Sequence, residues 1–369
     1  MKILCVVGAR PNFMKVAPVL EALRRHGHKA SLVHTGQHYD ASMSQVFFEH
    51  LKMPRPKVNL GVGSGSHAVQ TARIMEKFEP VLLREKPRAI LVAGDVNSTI
   101  ACALVAVKLG IEVAHLEAGL RSNDWSMPEE INRILTDRIS SVLLTPSADA
   151  DENLRAEGAP DDCIHRVGNA MIDSLFQHLE KARATSALTD LGVEPGSYAL
   201  LTLHRPSNVD NQEVFSGLLE AVATLSRELP VLFPAHPRTV QKIEAFGLSS
   251  HIENHPSLRL LKPQGYLEFL ALQESARLVL TDSGGIQEET TALGVPCLTL
   301  RENTERPITV TEGTNVLVGT DCARIIEEAR ASLARGARSA KPPSLWDGQT
   351  SERVALLFDR LEVEGFSSR

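Results

Sequence analysis

At 369 residues the chain is longer than one ordinary hydrophobic core accommodates, so two domains are expected. Its 43% hydrophobic and 23% charged residues describe a water-soluble globular protein. A formal net charge of -6, with no block of Lys and Arg, argues against a nucleic-acid-binding surface.

The first apolar run, residues 3–7, is too short for a signal peptide or a membrane span and reads as a buried strand. Further strands are predicted at 30–34, 89–93, 112–115 and 142–145, with helices over 16–25, 68–85, 98–109 and 128–138 between them. After Gly168-Asn169 the alternation restarts, with strands at 199–203, 231–234, 258–261, 278–281 and 297–300. Continuous apolar strands separated by helices imply parallel sheets covered on both faces. The fold class is therefore α/β, with two doubly wound Rossmann-like domains expected to face each other across a cleft. Boundaries are set at 1–168 and 169–350, with a last amphipathic helix within 351–369. Five scattered cysteines, never paired as Cys-x-x-Cys, read as reduced thiols of a cytoplasmic protein. No His or Cys spacing suits a metal.

The chemistry-bearing residues cluster at strand ends. The first strand runs into Gly8-Ala9-Arg10-Pro11, which is not the G-x-G-x-x-G of a nicotinamide-binding fold. Arg10 there is suited to a pyrophosphate. Gly61–Ser66 lacks a preceding strand of usual length, and Ser66 reads as a helix cap. Asp95 and Glu117 each follow a strand, and Glu129 and Glu130 open a helix behind Pro128. Carboxylates on one sheet edge perturb one another, so one holds a proton while another accepts one, as acid/base chemistry requires. The structural alternatives are a helix cap for Asp95 and a helix-dipole role for Glu129 or Glu130. In the second series His204-Arg205 and His236 end strands, while Asp282-Ser283-Gly284-Gly285-Ile286-Gln287-Glu288-Glu289 joins a strand to a helix. That turn aims backbone N–H groups and a helix N-terminus at one point, as a phosphate site does. Arg301–Pro307 is a charged loop, suited to a sugar or base or to internal ion pairs.

In this order, Gly8-Ala9-Arg10-Pro11, Thr35-Gly36-Gln37-His38, Gly94-Asp95, His115–Arg121, Pro128–Arg133, Gly168-Asn169, Leu203-His204-Arg205, Asp282–Glu289 and Thr304–Pro307 resemble the non-hydrolysing UDP-N-acetylglucosamine 2-epimerases. The resemblance implies a glycosyltransferase-B-like fold whose last helix, within 351–369, crosses back to the first domain, no metal or redox cofactor, and C2 epimerisation by elimination and re-addition of UDP through a glycal. It implies Asp95, Glu117, Glu129 and His204 as catalytic groups. UDP and sugar would be bound by Arg10, Lys15, Arg133, Arg205, His236, Ser283, Gly284, Gly285, Glu289 and Arg306. A second, activating UDP-N-acetylglucosamine is expected near Gln37, His38 and Gln45, with Arg205 and His236 beside it, and a homodimer is the expected assembly. Ala9, Asn12–Lys15, Pro206-Ser207-Asn208 and His236-Pro237-Arg238 depart from the usual motifs. A related UDP-diacetamido-uronate is therefore the alternative substrate. A UDP-sugar glycosyltransferase is the alternative activity, although three acids in the first half favour proton transfer.

Overall fold

A computed structural model describes residues 1–37, 55–335 and 341–366 of the chain. Contacts divide it into two units, Met1–Ser174 with Ser344–Arg369, and Leu175–Pro343.

The first unit carries a parallel sheet of β1 (Lys2–Val7), β2 (Lys29–His34), β3 (Val58–Asn59), β4 (Ala89–Ala93), β5 (Glu112–Leu116), β6 (Val142–Thr145) and β7 (Ile164–Arg166). Their order across the sheet is β3-β2-β1-β4-β5-β6-β7. Every residue of β4 and β6 is buried, as expected of strands covered on both faces. The strand order reverses between β1 and β4, which is where open α/β sheets place ligands. The helices are α1 (Arg10–Arg25), α2 (His67–Glu85), α3 (Asn97–Lys108), α4 (Pro128–Ile139), α5 (Ala148–Ala156) and α6 (Ala170–Arg183). In α2, Gln70, Ile74, Phe78, Val81, Leu82 and Glu85 are buried, one stripe at helical spacing, and Ser66 caps the helix through Val69 N at 3.4 Å.

Two expectations change here. Helix α1 begins at Arg10 rather than at residue 16, because Asn12 Oδ1 accepts from Ala9 N at 3.0 Å and Pro11 occupies the first turn. The contact boundary falls inside α6 rather than at Gly168-Asn169. Asp173 accepts from Thr350 N and Ser351 N at 3.0 and 2.6 Å, and Ser174 Oγ donates to Met14 O, all within the first unit. Leu175 instead packs into the second unit's core with Tyr198, Leu200 and Leu232.

The second unit is a parallel sheet of β8 (Ala199–Thr202), β9 (Val231–Pro234), β10 (Leu258–Leu261), β11 (Leu278–Thr281), β12 (Cys297–Thr299) and β13 (Asn315–Leu317), ordered β10-β9-β8-β11-β12-β13. Helices α7 (Gln212–Leu225), α8 (Pro237–Ala245), α9 (Tyr266–Glu274), α10 (Gly284–Leu293) and α11 (Cys322–Arg335) are its longer ones. The order here reverses between β8 and β11.

The chain returns to the first unit at Ser344, where Trp346 Nε1 donates to Pro146 O at 2.9 Å, and ends in α12 (Thr350–Glu364). Acids of α12 face bases of the first unit. His26 lies 2.9 Å from Glu352 and 2.6 Å from Asp359, His28 lies 3.0 Å from Asp359, Arg25 pairs with Glu352, and the N-terminal ammonium pairs with Glu362. Hydrogen bonds to Glu352 and then Asp359 raise the His26 pKa above its ordinary 6.5, while burial and then the N-terminal ammonium lower that of His28. A raised base stabilises fully below 6.5 and loses its contribution as pH climbs through its folded value. A lowered base stabilises above 6.5 and loses its contribution as pH falls through its folded value. In thermal melts, His26→Gln is therefore expected to remove an alkaline loss of stability and His28→Gln an acid loss. Among the described residues no helix is long and apolar enough to cross a membrane.

Candidate active site

Strands β4 and β5 lie side by side with Ala93 opposite Leu116, so Gly94-Asp95 and Glu117 leave the same sheet edge as neighbours. Glu117 is 4% exposed and has a φ of +70°, a region that residues with a Cβ avoid. Such a conformation costs about 1–3 kcal/mol and persists where the surroundings over-determine it, commonly at functional sites. Its Oε2 is paired with the buried Lys15 ammonium. Its Oε1 is buried and meets no hydrogen-bond partner among the described residues. An orphaned carboxylate oxygen is costly to bury, so it marks a place for a proton or a donor from outside the chain.

Asp95 accepts from Arg133 Nε and Nη2 at 3.1 and 2.7 Å, and its carbonyl accepts from Asn132 Nδ2 at 2.8 Å. Arg133 also pairs with the fully buried Glu130, which accepts from Ser122 N, Ser122 Oγ and Asn123 N at about 3 Å each. Glu130 thus holds a loop. Glu129, one residue earlier and about 100° around the helix, is half-buried, and its side chain makes no hydrogen bond or ion pair among the described residues. The two adjacent acids that open this helix therefore have different surroundings. Arg10 opens α1 beside the switch point, and Asn12 Nδ2 ties that turn to Ala93 O at 2.9 Å. Gln37 Oε1 accepts from Ser98 N and Oγ at 3.1 and 2.7 Å, holding the start of α3. His38 and Gln45 lie outside the described residues.

In the second unit β8 and β11 are adjacent, with Thr202 opposite Thr281. The buried Asp282 accepts from His204 N at 3.0 Å, Arg205 N at 2.9 Å and Asn208 Nδ2 at 3.2 Å, and lies 2.8 Å from His204 Nδ1. Burial alone would raise its carboxyl, but His204 and the two backbone N–H groups hold it below the usual range. One carboxylate thereby fixes the His204 turn while the imidazole remains exposed. Sequence had Asp282 in its motif without this task; its place at the end of an apolar strand was the available signal.

Ser283 precedes the N-terminus of α10, and its N–H donates to Thr281 Oγ1 at 3.0 Å. Gly284 is closely covered: a Cβ there would lie 2.7 Å from Arg306 Nη1 and from Glu305 Oε1, so those side chains would have to shift. Arg306 serves Glu288 and Glu305 at 2.8 and 2.7 Å, and Arg301 and Arg205 also reach Glu305, so the 301–307 loop braces the glycine turn by ion pairs. Gly285 follows in the same first turn of α10. Glu289 is buried, and that burial, with Glu288 adding to the rise, pushes its pKa up to about 7. His236 caps α8, its Nδ1 accepting from Arg238 N at 3.2 Å. Among the described residues no three His, Cys, Asp or Glu side chains are grouped to hold a metal ion.

Comparison with known proteins fits this arrangement. The UDP-N-acetylglucosamine 2-epimerase family model matches residues 21–358. A UDP-N-acetylglucosamine 2-epimerase of Methanocaldococcus jannaschii is 44% identical over 97% of this chain and 98% of that protein. A UDP-2,3-diacetamido-2,3-dideoxy-D-glucuronate 2-epimerase of Pseudomonas aeruginosa is 43% identical over 98% of this chain and all of that one. The crystal structure of the Methanocaldococcus jannaschii enzyme in complex with UDP-GlcNAc and UDP superposes with a TM-score of 0.90 at 42% identity, covering 98% of this chain and 100% of that one. On a match that spans most of its length, the chain belongs to the UDP-N-acetylglucosamine 2-epimerase family.

Proposed function

We infer that the protein interconverts UDP-N-acetylglucosamine and UDP-N-acetylmannosamine. The observation that carries the reading is the orphaned Glu117 oxygen beside Asp95 in a chain of this family. The C2 proton of the intact sugar is barely acidic. As the C1–O bond breaks, its electron pair leaves with UDP, C1 becomes electron-poor, and the C2–H pair can form the C1=C2 double bond while a carboxylate takes the proton. Return of a proton to the opposite face of C2, with UDP re-adding at C1, gives the epimer with no net loss of atoms. Asp95, Glu117 and Glu129 are assigned to the proton transfers and to the electron-poor carbon. His204 and Arg10 are assigned to the diphosphate, where charge develops. The N-terminus of α10 at Ser283-Gly284-Gly285 takes the phosphates and Glu289 the ribose.

A second substrate reading, a UDP-diacetamido-uronate, is favoured by the near-equal identity to the Pseudomonas aeruginosa enzyme. Incubating each UDP-sugar with the protein in D2O and recording NMR spectra separates them. Deuterium at C2, epimer formation and conserved total UDP-sugar are expected with UDP-N-acetylglucosamine. No C2 exchange with either sugar sinks the epimerase reading, and release of UDP with free sugar replaces it with a hydrolysing one. The protein is further read as a cytoplasmic homodimer that takes a second UDP-N-acetylglucosamine as activator, with His236 and Gln37 near it. Sedimentation tests the dimer, and a rate from UDP-N-acetylmannosamine that rises on adding trace UDP-N-acetylglucosamine tests the activator.

The Glu289 assignment predicts a pH effect. An ionised carboxylate accepts ribose hydroxyls better than a protonated one. Uridine affinity should therefore strengthen as pH rises through about 7, where the Glu289 pKa lies. Uridine is chosen because it lacks the titrating phosphate of UDP. Glu289→Gln should flatten the calorimetric profile, and an unchanged slope would remove Glu289 from the ribose.

A further inference from the structure

The segment carrying Glu117 is gripped from behind by a residue the motifs did not single out. Asp137, a turn beyond Arg133 on α4, is 5% exposed and reaches three points around Glu117. Its Oδ1 lies 2.6 Å from His115 Nδ1, and its Oδ2 accepts from Gly119 N at 3.0 Å and from Arg121 Nη1 at 2.7 Å. These contacts bracket Glu117 two residues before it and two and four residues after it. The His115 ring, fully buried, carries the grip across to the neighbouring strand end, its Nε2 lying 2.8 Å from Gly94 O, immediately before Asp95. Arg121 is itself fixed by two hydrogen bonds of 2.7 Å to Glu157. Burial would raise the Asp137 carboxyl, yet His115 and then Arg121 hold it below the usual range.

Glu117 needs such a frame. Its backbone sits in a sparsely populated well, which survives only where neighbours leave no alternative. We propose that Asp137 is a positioning residue for the epimerase reaction, acting through His115, Gly119 and Arg121 to hold Glu117 and Asp95 in mutual register. The proposal rests on the epimerase reading. The competing role is charge compensation of Arg121 alone, which would affect folding without separating kcat from KM.

Steady-state epimerisation, C2 deuterium exchange and thermal melting of Asp137→Ser, Asp137→Asn and His115→Gln decide between them. Serine is too short to reach all three partners, and misplacement of a catalytic group on the ångström scale costs about 10²-fold, so kcat should fall by about that much in Asp137→Ser with KM little changed. Asparagine keeps an oxygen toward Gly119 and Arg121 and an N–H₂ toward His115, so it should restore most of the loss. His115→Gln cuts only the arm to Gly94 and should also lower kcat. If Asp137→Ser does not fold, His115→Gln decides alone. Folded variants with kcat near wild type, or losses that merely track the folded fraction, overturn the proposal. A wild-type protein that exchanges no deuterium defeats the epimerase reading instead, so the two failures are distinct.

Discussion

Glu117→Gln is expected to lower C2 exchange by about 10²–10⁴-fold, the range that a positioned general acid or base contributes, while UDP affinity stays close to wild type. The amide keeps the shape of the side chain and can still accept from the Lys15 ammonium through its oxygen. It can neither take the C2 proton nor hold one for return. The position now occupied by the orphaned Glu117 Oε1 would carry either N–H₂ or a weaker acceptor, so substrate binding changes little while the proton step fails. Rate from single-turnover NMR and UDP affinity from calorimetry separate the two effects. Equal losses in both would mean that Glu117 binds rather than reacts. Asp95→Asn should fall less in the same assay, because its Oδ2 is already committed to Arg133.

Gly119→Ala is expected to be the most destabilising single-methyl change in the catalytic segment. Residue 119 has a φ of +82°, and a Cβ there would stand 2.3 Å from the Ala150 carbonyl oxygen, which is backbone of α5 and has no rotamer with which to yield. Left-handed strain of about 1–3 kcal/mol adds to an overpacking cost of similar size, so about 3 kcal/mol is the expected loss. For a unit of this size that corresponds to a fall in melting midpoint of about 6–12 °C. The same shift would pull Gly119 N from Asp137, so exchange should drop even in the folded fraction. A melting curve indistinguishable from wild type would show that α5 moves aside freely.

Much of the fold was legible because strands buried on both faces need unbroken apolar runs. Residues 89–93 and 278–281 are such runs, and β4 and β11 occupy them as expected. The missed strands, β3, β7 and β13, are sheet-edge pieces of two or three residues with polar members such as His165, Arg166 and Asn315. Too few residues remain there for any period to register. The start of α1 was hidden for a different reason, since Asn12 gains its reason to be helical from Ala9 N and from a carbonyl 81 residues away.

Sequence alone determined that two parallel α/β sheets exist, that acids end strands in the first and a glycine turn opens a helix in the second, and which family such an ordered set resembles. Those features are local, written in hydrophobic period and in residues next to one another along the chain. Tertiary structure alone decided which acids are available. It spent Glu130 on a loop, Glu288 on Arg306 and Asp282 on the His204 turn, and among the described residues it left one oxygen of Glu117 without a hydrogen-bond partner. The reason is physical: a carboxylate's role is set by the donors within about 3 Å of it, and those donors come from residues remote in the chain.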